Sequence, residues 1–120
     1  MKKMTVDLII ESEDKKEKYE NISANLKNNK LVFEDDLNKY IFDFDKNNFI
    51  KENEESKIIF NYEENKKSMS TYYIKELDFY IDMKVLTNSI NIDNNNVKID
   101  YEVYLNDELS GKFNLLIKMR

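Results

Sequence analysis

Few residue types in this chain can carry covalent chemistry. It holds neither cysteine nor histidine, which removes thiol nucleophiles, Ser-His-Asp triads and the usual zinc and haem ligands. Carboxylates are plentiful, and Asp100 with Glu102 can be drawn as an acid/base pair. Both fall on the polar side of an alternating run, however, and a catalytic carboxylate needs burial or a charged partner to move its pKa. No catalytic residue and no cofactor are expected. The sharpest motif is a near-miss to the EF-hand calcium loop. Asp43, Asp45, Asn47 and Glu54 take its first, third, fifth and twelfth places, with Ile50 at the apolar eighth. Asn48 stands where that loop needs glycine for its sharp turn, and Ile58-Ile59-Phe60 downstream reads as a strand. The calcium site is kept only as an alternative; a polar hairpin between two strands explains the same residues, and no metal ligands are assigned.

Binding is the chemistry that suits the remaining residues. Tyr40, Phe42, Phe44, Phe60, Tyr62, Tyr72, Phe79, Tyr101 and Phe113 all stand in the apolar phase of alternating runs. They form either a core or the lining of a cavity in which tyrosine hydroxyls orient a mostly apolar ligand. Core is the simpler reading, because aromatics are favoured in sheets. For a ligand site the candidates are Tyr62, Tyr72, Met83, Thr87 and Tyr101, which combine inward phase with a polar or adaptable group. Lys84, Lys98, Lys112 and Lys118 lie in outward phase, where cross-strand pairing with Asp82, Asp100 and Glu102 accounts for them.

The elements that must position these side chains are clearest in the last third. Phe79, Ile81, Met83 and Val85 oppose Asp78, Asp82 and Lys84. Val97, Ile99, Tyr101, Val103 and Leu105 oppose Lys98, Asp100 and Glu102, and Phe113, Leu115, Ile117 and Met119 oppose Lys112, Asn114 and Lys118. Side chains alternate across a strand with period two, so each run is a half-buried strand. The polar stretches Asp93–Asn96 and Asn106–Gly111 are the turns between them, the second holding the only glycine. Thr5–Ser12 is a first strand with Val6, Leu8 and Ile10 inward, and the charged run Glu11–Lys18 after it is a solvated turn or strand end. Tyr19–Leu26 is ambiguous: Tyr19, Ile22 and Leu26 fit a helix, Ile22, Ala24 and Leu26 a strand. The Lys27–Lys30 turn and Leu31-Val32-Phe33 beyond it favour a hairpin. Further short strands are expected around Tyr40–Phe44, Phe49-Ile50, Ile58–Tyr62 and Met69–Ile74.

That makes about eight to ten short strands at the spacing of a sandwich or barrel. A closed antiparallel barrel is preferred, because closure hides the sheet edges that this proline-free chain has no proline to blunt. The 120 residues form a single domain, 1–120, with no stretch of linker composition. A net charge of −5, mixed in sign along the chain, disfavours nucleic acid. Met1-Lys2-Lys3-Met4 resembles the charged start of a signal peptide, but the apolar run after it is broken by Asp7 and stops at Glu11. A cytoplasmic protein is expected, and with no apolar stretch of spanning length, no membrane role.

With the strands in place, the chain resembles the YwiB-like proteins, a family of small uncharacterised bacterial proteins with a calycin, or lipocalin-like, β-barrel. The residues that carry this are Ser70-Thr71-Tyr72, Ile81–Ile90, Val97–Val103 and the final apolar strand. Leu77-Asp78-Phe79 departs from the family, which tends to place a glycine before the long strand. The resemblance implies the barrel, with Tyr19–Leu26 as a strand, and no known activity. Two readings follow. One is a non-enzymatic module holding a small, largely apolar ligand inside the barrel. The other is a solid barrel acting as a protein-interaction module, toward another protein or a second copy, through the outward Tyr80, Leu86, Tyr104 and Leu116.

Overall fold

The computed structural model describes Met1–Arg120. Ten strands follow one another with no helix between them: β1 (Lys2–Ser12), β2 (Lys16–Lys27), β3 (Lys30–Glu34), β4 (Lys39–Asp43), β5 (Asn48–Glu52), β6 (Ser56–Asn61), β7 (Lys67–Ile74), β8 (Phe79–Ile92), β9 (Asn96–Leu105) and β10 (Glu108–Met119). Each pairs antiparallel with the next, and β1 pairs with β10, so the sheet closes into a barrel as expected. Backbone bonds between Thr5 and Arg120, 2.7 and 2.9 Å, extend the closing seam to the end of the chain. No helix in the structure is long and apolar enough to cross a membrane.

Tyr19–Leu26 lies in β2, and the helical spacing of Tyr19 and Ile22 has a specific cause. Val6 pairs with Ile22 but Leu8 with Tyr19, so an extra residue in β2 bulges opposite Asp7. Tyr19 and Ile22 thus face inward three residues apart. Asn21, left-handed at φ 57°, donates its N–H to Asp7 Oδ1 at 2.8 Å. The same device sits in β8, where Thr87 pairs with Tyr101 but Ser89 with Asp100, so that Thr87 and Ile90 share the inner face.

The turns use asparagine and aspartate where hairpins need positive φ. Asn28 and Asn29, at 53° and 59°, make the β2–β3 turn, and Asn106 and Asp107, at 52° and 62°, the β9–β10 turn. That last turn is shorter than the sequence suggested. Gly111 is no turn residue and has no positive φ. It sits in β10 beside a bulge, where a Cβ would lie 2.9 Å from the Phe113 ring. Asp78, in the turn before β8, is left-handed at φ 47°, its carboxylate accepting the Tyr73 hydroxyl at 2.8 Å. Asp93–Asn96 turns differently: the Asp93 carboxylate accepts the N–H groups of Asn95 and Asn96, at 2.7 and 2.8 Å.

In an up-and-down barrel successive turns alternate between the two ends. The base gathers the β2–β3, β4–β5, β6–β7 and β8–β9 turns and both chain ends; the other five turns surround the mouth. The core fills the base half with Val6, Leu8, Leu31, Phe42, Val85, Val97, Ile99, Leu115 and Ile117, none more than 1% exposed. Such close packing stabilises by roughly 25 cal/mol per Å² of apolar surface removed from water. Phe79, in inward phase, is 55% exposed because it begins β8 at the mouth, beyond the neighbours that would cover it.

Candidate functional site

The mouth half is filled on the β3–β4 side by the stacked Phe33 and Tyr40 and left open on the other. A cavity of about 290 Å³ opens there between β1, β2, β5 to β10 and the β1–β2 turn, and ten of its fifteen lining residues are hydrophobic. Alternation supplies the deeper wall: Phe49, Phe60, Tyr72, Met83, Tyr101 and Phe113 project inward from five of the strands and β5. The strand ends and the β1–β2 turn supply the polar lining, which is Ser12, Lys15, Glu17, Lys51 and Ser110. The site is therefore graded, apolar inside and polar at the rim. A larger hollow of about 740 Å³ lies at the base, but only five of its thirteen lining residues are hydrophobic. Size alone would select that one; an apolar lining with a few convergent polar groups is the better mark of a small-molecule site, and it selects the mouth.

Tyr101 is the hub of the aromatic wall. Its ring lies 5.4 Å from Phe113, stacked, 5.7 Å from Phe60 and 5.0 Å from Tyr62, edge-on. Such offset and edge contacts add about 0.5–1.5 kcal/mol each beyond the area they bury. Burial pushes the Tyr101 hydroxyl up to about 12 and raises that of Tyr62 well above 10. Both are neutral near pH 7, when each hydroxyl keeps its proton to donate.

Of the five residues singled out by sequence, Tyr72, Met83 and Tyr101 line the cavity. Tyr62 and Thr87 face inward but do not line it; they are 3% and 0% exposed, packed around Tyr101. Tyr62 Oη and Thr87 Oγ1 have no hydrogen-bond partner. Inward phase finds the interior, but not the level at which the core gives way to the cavity. Sequence reasoning missed the polar rim. Lys51 had a legible signal, two residues beyond the inward Phe49, while Lys15 lies in a turn that carries no phase.

The calcium-loop alternative fails on topology. Asp43 and Asp45 lie at the base and Glu54 at the mouth, with the whole of β5 between them. Asp43 instead holds the β4–β5 turn, Oδ1 accepting the N–H groups of Asp45 and Lys46 at 2.9 and 3.2 Å. Asp100 and Glu102 face outward as expected, accepting bonds from Ser89 and Asn88. Of the four outer lysines only Lys84 forms an ion pair, and its partner is Asp107 at 2.9 Å, not a strand carboxylate.

Charge that is mixed along the sequence is segregated in space. The five mouth turns carry nine carboxylates, among them Asp35, Asp36, Glu54, Glu55 and Glu76, against Lys15 and Lys75. On the outer wall Tyr80, 61% exposed, stacks on Tyr73 with ring centroids 4.4 Å apart. Tyr104 lies beneath the Lys67 ammonium at 4.1 Å, and Leu116 faces Ile9 across the closing seam. Leu86 pairs with that same Lys67, so Leu86 and Tyr104 lie together, apart from Tyr80, which stacks on Tyr73, and from Leu116 at the seam.

Residues 5–117 match the sequence profile of a domain of unknown function, DUF1934. Among solved structures the chain is similar to the ywiB protein from Bacillus subtilis, at 17% identity and a TM-score of 0.49, over 98% of this chain and 89% of that one. No curated protein matches the sequence.

Proposed function

Because the chain belongs to the DUF1934 family, a domain of unknown function to which the YwiB-like resemblance had pointed, its role must be read from its own geometry, and we propose that it is a non-enzymatic binding module holding a small, largely apolar molecule in the mouth cavity. The observation that carries this reading is the graded hollow at the mouth, apolar inside and polar at its rim. Its volume, near the lower end of the roughly 300–1,000 Å³ typical of ligand pockets, is about twice the ~150 Å³ of an engineered apolar cavity that takes up benzene. A ligand of on the order of ten non-hydrogen atoms suits it.

Titration with 1-octanol, followed by NMR, tests the proposal. Signals of Tyr72, Met83 and Tyr101 are expected to shift. Ile58, whose Cα neighbours across the sheet are the cavity residues Lys51 and Tyr72, provides the control. Ile58→Trp should fill the hollow and weaken binding on the order of tenfold or more while the barrel stays folded by circular dichroism. No shift at millimolar octanol, or equal binding by the folded variant, would refute the reading. A second reading, interaction with a second copy of the chain, is favoured by the Tyr73–Tyr80 stack on the outer wall, where Tyr80 is 61% exposed.

A further inference from the structure

The polar lining of the cavity has one charge left over. Lys15 Nζ and Glu17 Oε1 pair with each other at 2.8 Å. Lys51 shares the inner face of β5 with the buried Phe49, and it is half-buried and lines the cavity. No carboxylate lies within 4.0 Å of its ammonium. Its Cα neighbours across the sheet are Tyr40 and Ile58, neither of them an acid. Glu52, next in the strand, is taken by Lys75 at 2.8 Å. Asp35 is close enough to feel the Lys51 charge, but its oxygens accept the N–H groups of Leu37 and Asn38 and the Tyr40 hydroxyl, at 2.8, 2.7 and 3.1 Å.

From this arrangement we infer that the ligand is an amphipathic anion, its apolar body among Phe60, Met83, Tyr101 and Phe113 and its carboxylate on the Lys51 ammonium. The inference rests on the cavity reading and deepens it by giving the ligand a charge and an orientation. A charge-assisted hydrogen bond at the edge of an apolar cavity is stronger than the same bond in open water, because less solvent competes for either partner. The acidic turns around the mouth oppose an anion at long range. Their field is screened over about 8–10 Å at physiological salt, whereas the contact with Lys51 is direct.

Three probes of matched length, octanoate, 1-octanol and octylamine, separate the contributions by calorimetric titration of the full chain. The wild type is expected to bind octanoate on the order of tenfold tighter than 1-octanol, with octylamine the weakest. Lys51→Gln should bring octanoate down to the level of 1-octanol while leaving 1-octanol within about twofold, and Lys51→Arg should restore the preference. Retained 1-octanol binding also shows that Lys51→Gln is folded with its cavity intact. Equal affinities for octanoate and 1-octanol in the wild type, a preference that survives Lys51→Gln, or tighter binding of octylamine would overturn the inference and leave the cavity reading standing. Failure of all three probes to bind would overturn both.

Discussion

Gly111→Ala sets a steric cost against an entropic gain. The φ of Gly111 is not positive, so alanine can adopt its backbone, and the lost freedom of the unfolded chain stabilises the fold by about 0.4–1 kcal/mol. Against this, the new Cβ would lie 2.9 Å from Cε2 and 3.0 Å from Cζ of Phe113, closer than carbon atoms pack. Overpacking of that kind costs about 1–3 kcal/mol. The steric cost wins by about 1 kcal/mol, which lowers the melting temperature by about 3–5 °C in a chain of this size. The ring cannot stay in place, and the free space beside it is the cavity that it lines. Gly111→Ala should therefore weaken 1-octanol binding as well. Thermal unfolding of the four members of a Gly111→Ala, Phe113→Leu cycle isolates the contact. In the Phe113→Leu background the clash is gone, and Gly111→Ala should stabilise by about 0.5 kcal/mol. Equal destabilisation in both backgrounds would refute the reasoning, because Phe113 would then have no part in excluding a side chain at 111.

Two further outcomes follow from the structure. Hydrogen bonds from the Arg120 guanidinium, then the Asn21 N–H, hold the Asp7 carboxyl down at about 2 from its ordinary 3.8. Since the folded value is the lower one, its stabilisation is present above 3.8 and is lost as pH falls toward 2. Urea midpoints of the wild type should fall more steeply between pH 4 and pH 2 than those of Asp7→Asn, and parallel curves would contradict the assignment. On the outer wall, Tyr80→Lys should abolish any concentration-dependent association seen by sedimentation; a wild type that is monomeric at every concentration would refute self-association through the Tyr73–Tyr80 stack.

Much of the fold was legible because a strand buried on one face must alternate. The three C-terminal runs, the Asn28-Asn29 turn and the inward Val6, Leu8 and Ile10 could all be read directly. The stretches that were harder to read each have their own cause. A bulge inserts one residue and shifts the phase, so Tyr19 and Ile22 took on the spacing of a helix while lying in a strand. Gly111 looked like a turn residue because glycine is at home in turns, but the turn was made by Asn106 and Asp107, and glycine was needed to make room for Phe113. The turn before β8 has no glycine, and there an aspartate whose carboxylate is engaged by Tyr73 serves in the left-handed position.

The candidate site divides in the same way. Composition excluded cysteine and histidine chemistry, and phase placed Tyr72, Met83 and Tyr101 toward the interior, because both depend only on residue type and order. Phase also placed Tyr62 and Thr87 inward, and nothing in the order of residues could say that they pack below the cavity rather than line it. How far the interior is filled depends on which side chains meet across the barrel at each level. The acidic mouth is likewise a product of closure: alternate turns, separated by two strands in sequence, come together at one end, and charges that looked interspersed become a ring. Residue types and their order determined the strands and their inner face; closure of the barrel decided which inner residues surround a space and which charge, that of Lys51, is left facing it.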